Sequence, residues 1–150
     1  MSQLLPDGIF VIGAHIGFQI VLTSTPHAVD HGSPVIAAPQ EQPYPGPAQQ
    51  WRIHRVADSG LPGRYIIRPA FQEDEATPVL TDSAQDDLLW VNNTQPVEWV
   101  INPTPRGFAI FNDKEQYLTA EHIGAQIRLG KPDGRPNQFW TPRFIAPAAG

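Results

Sequence analysis

Two apolar markers occur three times along this chain, in the same order and at a similar spacing. The first marker is an aromatic residue followed two positions later by isoleucine, and its copies begin at Phe10, Tyr65 and Phe108. The second is a tryptophan inside a short apolar run, and its copies are Trp51, Trp99 and Trp140. Successive copies are 41 to 55 residues apart. Repeats of this length are typical of folds built from several copies of one small unit.

The segments between the markers predict strands and turns. Short runs rich in Val, Ile, Phe, Tyr and Trp are bounded by Gly, Pro, Asn and Asp, which is the pattern of an all-β protein. The longest helix candidate, residues 73–87, is interrupted by Pro78 and has no 3.6-residue apolar period. Each copy contains two further predicted strands, which are Phe18–Leu22 and Pro34–Ala38, Thr77–Leu80 and Leu88–Asn92, and Gln116–Ala120 and Ala125–Leu129.

Three copies of four strands can close into a six-stranded barrel capped by three hairpins, which leaves few open sheet edges. The sequence therefore predicts an all-β domain of β-trefoil type over residues 1–150. A propeller of three blades would also have twelve strands, but propellers typically have four or more blades. The repeated aromatic residues are expected in the core, because each ring can bury about 150–250 Å².

Composition excludes several classes of function. The chain has no cysteine, so it forms no disulfide and has no thiolate chemistry. Its net charge is −5 and its ten Lys and Arg are scattered, which argues against a nucleic-acid partner. No stretch approaches the roughly 20 apolar residues of a membrane span. The first residues, Met1–Asp7, lack the features of a signal peptide. We expect a cytoplasmic monomer, released when tissue is damaged.

No catalytic motif is present, so we expect neither an enzyme nor a cofactor. The chain lacks a Gly-x-Ser-x-Gly motif, a phosphate-binding glycine loop and a His-Glu-x-x-His motif. The acidic residues at 73–75 and 86–87 have no apolar surroundings and are expected in solvated loops. His27 and His31 flank Asp30, but a catalytic zinc needs three convergent ligands on a supporting frame. No metal site is predicted.

Five short blocks resemble the mushroom β-trefoil serine protease inhibitors, the cospin-like group. The blocks are Asp7–Ile12, Gln49–Ile53, Gly63–Ile67, Val97–Ile101 and Asn137–Trp140. The resemblance spans nearly the whole chain, although its motifs are mostly expected core residues. It implies inhibition of a trypsin-like serine protease as partner, with defence against grazing animals as the purpose. A rigid exposed loop would enter the active site of the protease, because rigidity lowers the ordering cost of binding.

The pocket of trypsin ends in a carboxylate and selects Arg or Lys. The resemblance points first to the loop 23–32, centred on Thr25, Pro26, His27 and Ala28, which contains neither cation. The residues themselves favour the segment 102–107. There, Pro105 stiffens the chain before Arg106, and Gly107 leaves an unhindered N–H. The alternative is that Arg106 begins a barrel strand and extends into solvent.

Two other loops are weaker candidates. The last loop, residues 130–137, contains Lys131 and Arg135, each followed by proline, which has no N–H. These cations would be non-cleavable anchors or simply solvated. The loop 58–63 is the position used by plant trefoil inhibitors, and it offers only Leu61, which would suit a chymotrypsin- or elastase-like pocket.

A carbohydrate-binding module is the main alternative. Gln49-x-Trp51 and Gln138-x-Trp140 match the Gln-x-Trp pattern of ricin-B-like trefoil lectins, while the middle copy has Val97 in place of the glutamine. In those lectins the pattern is largely a core feature, and sugar binding needs an Asp, an exposed aromatic residue and an Asn or Gln in a shallow pocket. This chain has no regularly repeated Asp–aromatic pair, so we rank inhibition above lectin activity. Inhibition of cysteine proteases, as in the mycocypins, ranks below inhibition of serine proteases.

Overall fold

The computed structural model describes residues 5–17, 19–25, 33–56, 63–70, 78–83, 86–92 and 95–147. In these ranges the chain forms twelve strands, which are β1 (Gly8–Ala14), β2 (Ile20–Ser24), β3 (Ser33–Pro39), β4 (Trp51–Arg55), β5 (Arg64–Pro69), β6 (Val79–Thr81), β7 (Trp90–Asn92), β8 (Trp99–Thr104), β9 (Gly107–Phe111), β10 (Tyr117–Thr119), β11 (Arg128–Gly130) and β12 (Trp140–Pro147). Two 3₁₀ turns, Pro47–Gln49 and Pro136–Gln138, precede β4 and β12. None of the described segments forms a helix with the length and apolar character that a membrane crossing requires.

Six strands close into a barrel. In order around the ring, β1, β4, β5, β8, β9 and β12 pair antiparallel with their neighbours, and β12 returns to pair with β1. The other six strands form the hairpins β2–β3, β6–β7 and β10–β11. This is the predicted architecture, and the β-trefoil fold is confirmed.

A cycle of three backbone hydrogen bonds joins the hairpins. The N–H of Val35 donates to the carbonyl of Leu89 (3.2 Å), that of Leu89 to Ile127 (3.0 Å), and that of Ile127 back to Val35 (2.8 Å). All three residues have no exposed surface. The three copies are therefore related by a pseudo-threefold axis that passes between these residues.

The tryptophan marker has the same role in every copy. The indole Nε1 of Trp51 donates to the carbonyl of Leu22 (2.9 Å), and those of Trp99 and Trp140 donate to the carbonyls of the corresponding leucines, Leu80 (3.0 Å) and Leu118 (3.1 Å). All three tryptophans are fully buried. Each ring therefore fills the core and satisfies a buried carbonyl that would otherwise lack a partner. The predicted core role of the tryptophans is confirmed.

The aromatic–isoleucine marker also lies in the core. Phe10 and Tyr65 are buried and Phe108 is partly buried against the same cluster. Each of these aromatic residues lies beside the tryptophan of its own copy on the neighbouring barrel strand. The two markers of each copy therefore meet across one strand pair, which explains why they recur together.

The hairpin strands begin later than the sequence predicted. The strand predicted at Leu88–Asn92 begins at Trp90, and the strand predicted at Ala125–Leu129 begins at Arg128. Leu89 and Ile127 direct their N–H groups to other hairpins, as Val35 does from within β3. The strands predicted at 18–22 and 77–80 are observed as β2 and β6, and residues 18 and 77 lie outside the described ranges.

Candidate functional site

The glutamines of the Gln-x-Trp pattern hold loops. Gln49 and Gln138 are 2% and 3% exposed. The amide Nε2 of Gln49 donates to the carbonyl of Pro39 (2.8 Å), and its Oε1 accepts from the N–H of Glu41 (2.8 Å). Gln138 repeats this arrangement with the carbonyl of Lys131 (2.7 Å) and the N–H of Asp133 (2.9 Å). The pattern is therefore a structural clamp in this chain. Its side chains are not available to a ligand.

The predicted loop 102–107 is mostly strand, which corrects the sequence prediction. β8 continues to Thr104, and Pro103 pairs with Phe108 of β9. Only Pro105 and Arg106 remain, as a two-residue turn. The Thr104 hydroxyl closes this turn, since it donates to the Gly107 carbonyl (2.6 Å) and accepts from the N–H of Arg106 (3.1 Å). The paired backbone of β8 and β9 therefore leaves no extended loop around Arg106, although its side chain is exposed.

The last loop is exposed but held at several points. Residues 131–136 are exposed, and the buried Gln138 side chain holds the loop on its inner side. From outside, Nη1 of Arg106 donates to the carbonyl of Gly134 (2.8 Å). Within the loop, the Asp133 carboxylate accepts from the N–H of Arg135 (2.9 Å) and lies 3.7 Å from its guanidinium. Two candidate loops that the sequence presented as alternatives thus form one surface.

The other two predicted loops lie largely outside the described residues. Thr25 is described, and its hydroxyl and its N–H both donate to the Pro34 carbonyl (2.9 and 3.0 Å), which closes the base of the first loop. Pro26, His27 and Ala28 lie outside the described ranges, as does Leu61. The same holds for His31. Among the described residues, no group of three His, Asp or Glu side chains could hold a metal ion.

A cleft of about 260 Å³ opens between β1, β2 and β12 and the segment that follows β3. We call it the amide cleft. Its floor is apolar and is formed by Val11, Gly13, Ala14, Ile20 and Val21. Its rim is polar and is formed by Gln19, Gln40, Thr141 and Arg143. None of the four rim residues was predicted from the sequence.

Hydrogen bonds orient the rim of the amide cleft. Nη2 of Arg143 donates to Oε1 of Gln40 (2.6 Å). Nε2 of Gln42 donates to Oε1 of Gln19 (3.0 Å), and the Thr141 hydroxyl is bonded to Nε2 of His15 (2.7 Å). Gln19 has a φ of 54°, an unusual backbone conformation for a residue with a side chain. Glu115, at the equivalent position of copy three, has a φ of 59°, so this conformation belongs to the repeated turn. The rim is therefore positioned before any ligand arrives.

A second cleft, of about 400 Å³, lies between copies two and three. Its charged residues include Arg64, Asp82 and Glu98, and several of its charges are already paired. Arg64 lies 3.8 Å from Glu98, and the Asp82 carboxylate accepts from the buried Asn112 amide (2.8 Å). This cleft is lined by opposed charges, whereas the amide cleft combines an apolar floor with a rim that is mostly neutral.

An Asp and an aromatic residue are in contact in copy two. Nε1 of Trp90 donates to the Asp86 carboxylate (3.1 Å), but the ring is only 7% exposed. The corresponding positions, each following a member of the hydrogen-bond cycle, are Ile36 in copy one and Arg128 in copy three. This pair therefore supports the fold of copy two and does not form a repeated stacking site.

Comparison with solved structures identifies the architecture over nearly the full chain. The Rhizoctonia solani agglutinin has 15% sequence identity and a TM-score of 0.75, with 97% of this chain and 100% of that chain covered. The chain is a β-trefoil. The designed threefold-symmetric protein ThreeFoil has 19% identity and a TM-score of 0.71, with 93% of this trefoil and 100% of that chain covered.

A third neighbour is the ricin B-like lectin of Macrolepiota procera, solved in complex with lactose. It has 18% identity and a TM-score of 0.70, with 96% of this trefoil and 100% of that chain covered. Identities this low establish the fold alone. No protein-family model and no curated protein matches the chain. The resemblance to serine protease inhibitors gains no support from these neighbours, two of which are an agglutinin and a lectin.

Proposed function

We propose that this trefoil binds carbohydrate in the amide cleft. The observation that carries the proposal is a polar rim of Gln19, Gln40, Thr141 and Arg143 around an apolar floor. A side-chain amide offers both donors and acceptors, as a hydroxyl does, so it can pair with the successive hydroxyls of a sugar ring. The floor would receive the apolar C–H face of the ring. At about 260 Å³ the cleft lies just below the roughly 300–1,000 Å³ of pockets for drug-sized ligands, so it suits a single sugar ring.

The structural neighbours support this class of ligand. An agglutinin and a lactose-bound lectin share the fold of this trefoil along their whole length. In this chain the buried Trp90 offers no stacking face, so the proposal assigns the ligand to the amide cleft instead. A rim that is already hydrogen-bonded loses little conformational entropy when a ligand binds.

The test is a glycan array followed by calorimetry on the strongest saccharide. We expect Gln40→Ala to weaken binding about tenfold, because it removes a hydrogen-bonding group and the anchor of Arg143. Gln50→Ala is the matched control, since Gln50 bonds to the Pro45 carbonyl (2.9 Å) outside the cleft and should leave affinity unchanged. An array with no bound glycan, or equal binding by the Gln40 variant, would overturn the proposal.

Serine protease inhibition is the second candidate, and one observation favours it. The exposed last loop is held by Gln138 from below and by Arg106 from outside, as a reactive loop requires. Titration of trypsin and chymotrypsin tests this function. If one cation enters the pocket of trypsin, its replacement by Glu should weaken inhibition at least a hundredfold, because two carboxylates would then face each other. The variants are Arg106→Glu, Lys131→Glu and Arg135→Glu. Absence of inhibition by the unmodified protein would reject this candidate.

A further inference from the structure

The amide cleft contains a positively charged side chain, which a neutral sugar does not need. Of the nine lining residues that the structure describes, Arg143 alone is charged, and none of them carries a carboxylate. The chain as a whole has a net charge of −5. The cleft is therefore a local cationic site on an anionic protein.

The Arg143 guanidinium has unused donors. Its Nη2 donates to Oε1 of Gln40, whereas a guanidinium carries five N–H groups. Among the described residues, no carboxylate lies within ion-pair distance of Arg143. The nearest acidic residue in sequence to this part of the rim is Glu41, and its carboxylate lies against Gly46. The arginine is therefore held in place but not neutralised.

The register of the barrel directs Arg143 and Thr141 toward the same cleft. Arg143 lies opposite Val11, and Thr141 lies opposite Gly13, on the β12–β1 pair. The absence of a side chain at Gly13 keeps the floor open beside the two polar groups. The Thr141 hydroxyl is also bonded to Nε2 of His15.

We infer that the amide cleft selects saccharides that carry a carboxylate, such as uronic acids, over their neutral counterparts. The inference rests on the proposed carbohydrate binding and adds the chemical class of the ligand. A guanidinium pairs with a carboxylate through two parallel hydrogen bonds, which a neutral hydroxymethyl group cannot accept in the same geometry. The amides of Gln19 and Gln40 would then bind the ring hydroxyls.

The experiment compares matched sugars and matched arginine variants. Calorimetry with galactose and galacturonate, and with glucose and glucuronate, should show at least a tenfold preference for the acid in one pair at low salt. Arg143→Gln should bring the affinity for the acid down to that for its neutral counterpart, which abolishes this preference. Arg128→Gln is the control, because Arg128 is also exposed but pairs with Glu121 (3.7 Å) away from the cleft, and it should keep the preference. Higher salt should reduce the preference of the unmodified protein.

The two proposals fail in different ways. If neutral and acidic sugars bind equally, or if Arg143→Gln keeps the preference, the selectivity is wrong and carbohydrate binding stands. If no sugar of either kind binds and the glycan array is also negative, both proposals are wrong.

Discussion

The Arg106 guanidinium donates a hydrogen bond to the carbonyl oxygen of Gly134 over 2.8 Å. This contact joins the turn between copies two and three to the last loop, across 28 residues of sequence. The sequence predicts that Arg106 is available to enter a protease pocket. In the structure its side chain instead forms a hydrogen bond with the last loop of the same chain. If a protease takes up Arg106, the hydrogen bond to Gly134 has to break first.

We predict that Arg106→Ala loosens the last loop without unfolding the barrel. An exposed hydrogen bond contributes about 1 kcal/mol or less to stability, so the free energy of unfolding should change little. Hydrogen exchange of a peptide covering residues 130–138 should become several times faster. Arg128→Ala, which removes an exposed arginine elsewhere, should leave that peptide unchanged. Unaltered exchange in the Arg106 variant would show that the loop is held by Gln138 and its internal contacts alone.

The clamps at Gln49 and Gln138 should each contribute measurably to stability. Replacing either by Ala leaves a loop carbonyl and a loop N–H without their partner, which costs about 1–3 kcal/mol. The two sites serve different copies and should act additively. Urea denaturation of Gln49→Ala, Gln138→Ala and the double variant measures this. Changes below about 0.5 kcal/mol would mean that water replaces the amide in both loops.

The repeated markers made the fold predictable from sequence. Trp51, Trp99 and Trp140 recur because each must fill the core and bond a leucine carbonyl, so symmetry in the structure appears as periodicity in the sequence. The hairpin strand limits were less predictable. Leu89 and Ile127 look like strand residues by composition, but each lies just before its strand. Their N–H groups join the threefold cycle, a long-range contact that no local pattern encodes.

The candidate site was largely beyond sequence reasoning. The β2–β3 pairing places Gln19 beside Gln40, and the closure of β12 onto β1 adds Thr141 and Arg143 from a distant part of the sequence. None belongs to a motif. The loop around Arg106 was predicted as a loop because of its two prolines, yet Pro103 is accommodated in the β8–β9 ladder. Proline density alone therefore overestimated the length of this loop.

Tyr65 should make the protein sensitive to alkaline pH. Burial raises the pKa of its phenol above 10.0, because the phenolate is poorly solvated there, and the backbone hydrogen bond with Leu5 opposes this effect. In the folded protein the proton is therefore held more tightly than in the unfolded chain. This contribution to stability is complete below pH 10 and is lost as the pH rises through the folded pKa.

Tyr65→Phe tests this contribution. Near pH 7 the variant should lose about 1–2 kcal/mol, since the hydroxyl donates to the Leu5 carbonyl (3.0 Å) and accepts from its N–H (2.7 Å). Between pH 9 and 11.5 its stability should fall less steeply than that of the unmodified protein, as followed by urea denaturation. Tyr44→Phe is the control, because Tyr44 is 79% exposed and should alter neither quantity. Parallel pH profiles for the Tyr65 variant and the unmodified protein would contradict the prediction.

Alanine substitutions at Gly107 and Gly124 distinguish the cost of backbone strain from the cost of a steric clash. Gly107 and Gly124 have φ values of 128° and 90°, which disfavour any residue with a side chain. A Cβ at Gly124 would meet nothing within 4 Å, whereas at Gly107 it would lie 2.7 Å from the His15 ring and 3.2 Å from the Trp140 carbonyl. Gly124→Ala should therefore cost about 1–2 kcal/mol of strain, and Gly107→Ala should cost more. Adding His15→Ala should recover only part of the Gly107→Ala loss in urea denaturation, because the Trp140 carbonyl belongs to the barrel and stays in place. Equal costs for the two glycine variants would contradict the predicted steric conflict at Gly107.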